Sequence, residues 1–183
     1  AAKNLGISNK VLQDKFKTSF DDKSSIAQDI LNLDEEKQKI KINQMVDQLA
    51  RRLTKSKNDL DGWLKLYRSY KVLNDKEKAL NAIKVAIEIN PNEVTFKQML
   101  LKELLPPSVK PNFTLEVTEL IDQILILDSN NIDGLFFQGL KAFNEGNKKV
   151  ASQSWEKILS KLPKNSPMKL ELSRKLNSIK HLN

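Results

Sequence analysis

The sequence of 183 residues predicts an all-α protein, an α-solenoid of about three helical hairpins, on the basis of three observations. Apolar residues recur at three- and four-residue steps, which is the period of one helix face. Short breaks rich in Asn, Asp, Gly or Pro divide these segments into pairs. The pairs recur along the chain at similar spacing, and such internal repetition is typical of solenoids.

The chain begins with a segment of weaker pattern. Residues 1–34 hold scattered apolar positions among balanced charges and Ser, Asn and Asp breaks, so we expect a tether or linker with short helices. Acidic residues at 34–36 then place negative charge where a helix start favours it. The apolar stripe that follows predicts a leading helix over residues 35–55, packed against the helix that contains Trp63. The predicted repeat domain, defined below by its hairpins, spans residues 35–183.

The first predicted hairpin, residues 60–93, carries a characteristic order of large and small residues. Large side chains on its first helix face small ones on its second, and a proline ends the second helix because it lacks the N–H. These residues occupy the places of a tetratricopeptide (TPR) repeat: Trp63, Leu66, Tyr70, Ala79, Ala86 and Pro91. Asn74-Asp75 is the break between the helices. Tyr67 stands where Gly or Ala is usual, so its ring must either widen the hairpin or turn toward a groove.

Two further repeats are predicted at residues 94–131 and 132–165. The second repeat contains a loop, residues 106–112, that is about four residues longer than a regular TPR repeat allows. In the third repeat, Gly139 occupies the place where the two helices approach closely, and Gly146 occupies the turn. This spacing supports the TPR-like fold class for the whole domain.

Two residues of the third repeat depart from the TPR pattern, and a further helix is predicted after it. Gln138 stands where Leu is expected in the third repeat, and Ile158 stands where Ala is expected. Ser166 followed by Pro167 is typical of a helix start and predicts a capping helix over residues 167–181. Its apolar residues are Met168, Leu170, Leu172, Leu176 and Ile179. We expect this helix to cover the exposed apolar edge of the last repeat.

Composition argues against several function classes. The net charge is +8, yet only four of the basic residues are arginines, the type best suited to phosphate and base contacts, so we expect no nucleic-acid surface. There is no cysteine, and the lone His181 is expected to be a solvated tail residue, so no metal or cofactor is predicted. No Gly-rich phosphate loop, catalytic triad or buried carboxylate pair is present, which predicts that the protein is not an enzyme. No apolar run reaches the roughly 18 residues of a membrane span.

A concave surface lined by the first helices of the hairpins is the predicted binding site. The residues expected to line it combine an apolar floor with a cationic rim: Leu64, Tyr67, Arg68, Lys71, Gln98, Lys102, Phe136 and Leu140. Such a surface suits an amphipathic helix, or a peptide that offers leucines or aromatics plus a carboxylate. The alternative is that many of these residues are ordinary packing or solvated positions. Phe143, one turn further, is expected to belong to the hairpin core.

Two sequence segments resemble a known family. The first is MVDQLARRLTKSKNDLDGWLKLYRSY, which begins at Met45, and the second is WEKILSKLPKNSP, which begins at Trp155. Together they resemble the periplasmic C-terminal TPR domain of the c-type cytochrome biogenesis factors CcmI/CycH, over roughly residues 34–180. The leading helix joined to the "GW..L.RSY" repeat is the more specific part of the resemblance, since TPR repeats serve many partners.

The resemblance implies a membrane-anchored periplasmic chaperone. It implies that apocytochrome c is captured, chiefly through its C-terminal amphipathic helix, and presented to the proteins that ligate haem. Contact with the membrane would occur only through spans that lie outside this chain. Two alternatives remain open from the residues: a general TPR adaptor that binds another protein's helical or C-terminal segment, and a basic nucleic-acid-associated helical repeat. An adaptor that binds acidic tails needs an all-polar clamp, and Leu64, Phe136 and Leu140 argue against such a clamp. A nucleic-acid-associated repeat needs Arg and aromatic residues on one stripe.

Overall fold

The computed structural model describes residues 32–106, 111–163 and 165–180. All regular structure in these ranges is helical: α1 Glu35–Lys55, α2 Leu60–Val72, α3 Lys76–Ile89, α4 Val94–Leu104, α5 Leu115–Leu127, α6 Ile132–Asn144, α7 Lys148–Leu159 and α8 Pro167–Lys180. The predicted all-α class with a leading helix, three hairpins and a C-terminal helix is confirmed. Nearly all of the predicted tether, most of the long loop and His181 lie outside the described residues. No helix in the described ranges is both long and apolar enough to cross a membrane.

The chain divides into two compact units, with the boundary between Pro91 and Asn92. The first unit contains α1, α2 and α3, and the second contains α4 to α8. Each unit is described below on its own.

The hairpin of the first unit turns where the sequence predicts. Asn74 adopts a left-handed backbone conformation with φ of 58°, which Asn tolerates better than most residues. Asp75 then caps α3, because its carboxylate accepts a hydrogen bond from the backbone N–H of Lys78 at 3.2 Å. The buried apolar residues of this unit are Val46, Leu53, Leu66, Tyr67, Tyr70, Ala79, Ala82, Ile83 and Ala86.

Helix α1 packs against the start of α2, as predicted for the leading helix. Leu53 is fully buried, and its side chain occupies the space beside Gly62 that a Cβ atom would need. Arg52 forms a salt bridge with Asp59, the residue that caps α2, at 2.7 Å. The indole Nε1 of Trp63 donates a hydrogen bond to the carbonyl oxygen of Lys57 at 2.9 Å. The connection between α1 and α2 is therefore held by side chains from both helices.

The hairpin of α6 and α7 is the centre of the second unit. Trp155 is fully buried between these helices, and a Cβ atom on Gly139 would overlap its indole ring. Gly146 has a φ of 77° at the turn, where glycine is favoured. Gln138, the departure from the TPR pattern, accepts a hydrogen bond from the buried hydroxyl of Ser154 at 2.8 Å. A polar pair thus replaces the apolar contact expected there.

Helix α8 completes the core of the second unit. Leu172, Leu176 and Ile179 are buried in the same cluster as Trp155 and Ile158. Because Ile158 lies in the core that α8 covers, its larger side chain is accommodated where a repeat usually has Ala. The predicted capping role of this helix is confirmed. One residue of its predicted apolar set, Leu170, is instead 57% exposed. At 100° per residue it lies about 160° around the helix from Leu172, on the side opposite the buried residues.

The hairpin of α4 and α5 contains an unusual buried cation. Lys97 stands at the place that Trp63 occupies in the first repeat, and it is only 5% exposed. Its ammonium donates a hydrogen bond to the side-chain oxygen of Gln123 at 2.7 Å. Burial lowers the pKa of Lys97 below its ordinary value, because desolvation disfavours the charged form. This substitution of a cation for an aromatic ring makes the second repeat the least regular of the three.

Candidate peptide-binding surfaces

Four of the predicted site residues form one stripe of α2 in the first unit. Leu64, Tyr67, Arg68 and Lys71 follow each other at steps of three and four residues, so they share one side of the helix. Leu64 is half-buried, whereas Arg68 and Lys71 are exposed. A partly accessible leucine therefore lies beside two cations. That this stripe forms the apolar floor and cationic rim of a binding surface stays a prediction.

Tyr67 differs from the other three residues of the α2 stripe. Only 7% of its surface is exposed, so most of the side chain is packed within the protein. The large residue at the place usually held by Gly or Ala is thus accommodated by packing. Little of its ring is left for a ligand to contact.

In the second unit, predicted site residues from α4 and α6 meet in a polar cluster. The side-chain amide of Gln98 donates to the carboxylate of Asp133 at 2.7 Å and to the side-chain oxygen of Asn131 at 3.2 Å. Lys102 forms a salt bridge with the same carboxylate oxygen of Asp133 at 2.7 Å. Asn131 also caps α6 by accepting from the N–H of Gly134 at 3.1 Å. The structure therefore brings Gln98 and Lys102 together through a shared partner.

Asp133 and Asn131 are the members of this cluster that the predicted site set does not include. Asp133 lies in the first turn of α6. The second and third repeats begin 38 positions apart, at residues 94 and 132, so the residue equivalent to Gln98 is Phe136, and Asn131 and Asp133 lie about one turn earlier, at the start of α6. The repeat spacing therefore gave no signal for this cluster.

The charge of Lys102 is compensated within the unit, which changes how it can act. An ion pair with an exposed partner contributes at most about 1 kcal/mol to stability. Lys102 keeps 59% of its side chain exposed, while that of Asp133 is 22% exposed. A ligand carboxylate can therefore compete for Lys102, and a ligand ammonium can compete for Asp133.

Phe136 and Leu140 continue the stripe of α6 beyond Asp133. Both are half-buried and pack against the core cluster around Trp155. Phe136 also meets Phe137 edge to face, with ring centroids 5.3 Å apart. Phe143, in contrast, lies 5.7 Å from the ring of Trp155 and belongs to the hairpin core, as predicted. The accessible parts of Phe136 and Leu140 thus form a small apolar surface on α6, a helix that the core holds in place.

The eight predicted site residues fall into two sets, one in each unit. The α2 set has exposed cations beside Leu64, and the α4 and α6 set has a compensated ion pair beside Phe136 and Leu140. Their combination into one groove stays a prediction. In the described part of the chain, no three His, Cys, Asp or Glu side chains are grouped so as to hold a metal ion.

The hairpin geometry and the repeat places together define a class, the TPR-type helical repeat proteins. Within that class, the chain belongs to the family described as the TPR domain of cytochrome c-type biogenesis protein H, whose family model matches residues 20–169. The resemblance stated from the sequence is thereby confirmed.

Three relatives illustrate this membership. The cytochrome c-type biogenesis protein CycH of Bradyrhizobium diazoefficiens is 47% identical over 38 residues, which are 21% of this chain and 10% of that protein. The cytochrome c-type biogenesis protein CcmH of Escherichia coli is 28% identical over 131 residues, which are 71% of this chain and 37% of that protein. A protein of the same name from Shigella flexneri matches to the same extent. The matched part of the chain thus spans at most 37% of the length of these relatives.

Proposed function

We propose that this chain is a non-enzymatic peptide-binding domain that acts in c-type cytochrome maturation. In this proposal it binds the C-terminal amphipathic helix of apocytochrome c and presents the polypeptide to the proteins that ligate haem. The full-length protein is membrane-anchored, and this domain lies in the periplasm. Membership of the family, together with the names of the relatives, supports the role in cytochrome biogenesis.

One observation carries the proposal of peptide binding: apolar side chains of first helices stay partly accessible beside charged ones. Leu64 lies beside Arg68 on α2, and Phe136 and Leu140 follow Asp133 on α6. A helix that offers an apolar stripe flanked by carboxylates fits such surfaces. Burial of each apolar side chain would supply most of the affinity, and the charges would set the orientation and speed association.

The proposal is tested by titrating the chain with a peptide that copies the C-terminal helix of an apocytochrome c. A scrambled peptide and a single-stranded oligonucleotide are titrated in parallel. We expect low-micromolar or weaker binding of the helical peptide alone. Leu64→Asp and Arg68→Glu should each weaken it at least tenfold, while the circular dichroism spectrum stays unchanged.

Matched controls exist on α8, which is not part of the proposed surface. Leu170→Asp and Arg174→Glu make the same chemical changes at exposed positions and should leave peptide affinity unchanged. If the α2 variants bind the peptide as tightly as the unmodified chain, the assignment of the surface is wrong. Equal binding of the scrambled peptide would instead favour a general adaptor, and salt-sensitive binding of the oligonucleotide would favour a nucleic-acid function.

A further inference from the structure

Helix α5 carries the two most exposed large apolar side chains of the described residues. Leu115 is 75% exposed and Ile126 is 81% exposed. They are eleven positions apart, so at 100° per residue they lie within about 20° of each other and about 16 Å apart along the helix. The opposite side of α5 is the buried one, formed by Val117, Leu120, Ile121 and Ile124. The two side chains therefore point away from the core of the second unit.

Two carboxylates lie between these apolar side chains on the same stripe. Glu119 and Asp122 follow Leu115 by four and seven positions, which places both within about 40° of it around the helix. Both are exposed, and neither forms a salt bridge with any residue that the structure describes. The resulting α5 stripe has an apolar residue at each end and two negative charges at its centre. The charge of this stripe is negative, whereas the net charge of the whole chain is +8.

We propose that the α5 stripe, Leu115, Glu119, Asp122 and Ile126, docks a basic amphipathic helix of a partner protein. The matching helix has lysines or arginines at its centre and an apolar side chain about three turns apart at each end. Charge complementarity identifies this occupant. The α5 stripe shares no residue with the predicted peptide site, which uses α2, α4 and α6, and the proposal does not depend on that site.

The charges also argue against other occupants. A second copy that paired through the same stripe about a two-fold axis would bring the central carboxylates of both copies together, which is unfavourable. Anionic lipid headgroups would be repelled by the same carboxylates. A basic helix avoids both penalties, and it covers apolar surface that is otherwise in contact with water.

The test uses the full 183-residue chain and a designed probe. The probe is a helical peptide of about 18 residues with leucines three turns apart and lysines between them on one face. A control peptide has glutamate in place of each of those lysines. Fluorescence anisotropy should show saturable binding of the lysine peptide that weakens as salt is added, and no binding of the glutamate peptide.

Variants test the charged residues and the apolar residues of the stripe separately. The double variant Glu119→Lys, Asp122→Lys should lose at least tenfold in affinity for the lysine peptide and should acquire affinity for the glutamate peptide. The double variant Leu115→Ser, Ile126→Ser should also lose at least tenfold in affinity for the lysine peptide, but it should not acquire affinity for the glutamate peptide. Leu170→Ser removes another exposed leucine of the same unit and should leave binding unchanged.

Four results would overturn the proposal. The charge-reversed variant could bind the lysine peptide as tightly as the unmodified chain, or Leu170→Ser could weaken binding as much as the stripe variants do. Sedimentation velocity could instead show a dimer that Leu115→Ser with Ile126→Ser dissociates, in which case a second copy occupies the stripe. Binding of the unmodified chain to anionic vesicles that requires the same two side chains would identify a lipid surface.

Discussion

Trp155 and Gly139 form the closest contact between α6 and α7. The indole ring is fully buried, and its Nε1 donates a hydrogen bond to the backbone carbonyl of Phe136 at 3.3 Å. The TPR spacing identifies Gly139 as the position of close approach, and the structure identifies the ring that fills the space. A side chain at position 139 must therefore compete with an aromatic ring that has no room to move.

We expect Gly139→Ala to destabilise the second unit. Alanine gains about 1 kcal/mol over glycine in helix propensity. Forcing a methyl group into a packed core costs about 1–3 kcal/mol, and the fully buried indole cannot yield. The net loss should appear as a lower midpoint of thermal unfolding. In the Trp155→Phe background, where the ring is smaller, the same substitution should cost less. An unchanged or higher midpoint for Gly139→Ala alone would contradict this account.

Side-chain caps define where most of the helices begin. In each case a short polar side chain accepts a hydrogen bond from a backbone N–H in the first turn: Asp34, Asp59, Asp75, Thr114, Asn131 and Asn147. Such caps satisfy N–H groups that have no partner within the helix. These signals are local, which is why a helix start such as that of α1 can be predicted from the sequence.

Asp75 allows the contribution of one cap to be tested against pH. Its hydrogen bonds to the side chain and the backbone N–H of Lys78 lower its pKa below the ordinary value. A carboxylate with a lowered pKa in the folded state stabilises the fold above its unfolded pKa, and this stabilisation is lost as pH falls through the folded value. Asp75→Ala should cost about 1 kcal/mol at pH 7.

The comparison with Asp75→Asn isolates the charge. Asparagine retains the cap but does not titrate, so the advantage of Asp75 over this variant should shrink as pH falls below about 4. Urea unfolding followed by circular dichroism between pH 7 and pH 2 measures the difference. A constant difference over this range would show that the charge of Asp75 contributes nothing to stability.

At the scale of the whole molecule, each unit has its own buried core and its own tryptophan. Trp63 lies in the first unit, where its indole bonds to the loop after α1, and Trp155 lies at the centre of the second. The second unit ends with α8, which supplies Leu172, Leu176 and Ile179 to the core. The terminal helix is thus part of the unit's core and covers surface that a further repeat would otherwise cover.

We expect Leu172→Ala to destabilise the second unit by about 2–5 kcal/mol, because it removes a fully buried side chain and leaves a cavity. Leu170→Ala is the matched control on the same helix, and its effect should stay within about 0.5 kcal/mol because Leu170 is exposed. Denaturant unfolding followed by the fluorescence of Trp155, with Trp63→Phe in every variant, measures the second unit. Similar losses for both leucines would mean that α8 does not act as a cap in solution.

Much of the fold was predictable because its signals are local or periodic. The Asn74-Asp75 break, the positive φ of Gly146 and the start of α8 at Pro167 depend on a few neighbouring residues. The position of Gly139 follows from the repeat spacing. Prediction was weaker for the candidate site, because residues on a stripe can be recognised from the sequence while their degree of burial cannot. Tyr67 shows this, since it shares the stripe of Arg68 but is almost wholly buried.

The order of residues alone determined that the chain forms helical hairpins, where each helix begins, and which family the chain resembles. Those properties follow from backbone preferences and from periodicity along one helix. Only the tertiary structure decided which partners the long side chains select, as when Asp133 engages both Lys102 and Gln98. It also decided that Leu170 stays in water while Leu172 is buried. Such outcomes depend on which neighbouring helix covers each face, and that depends on packing between residues distant in the sequence.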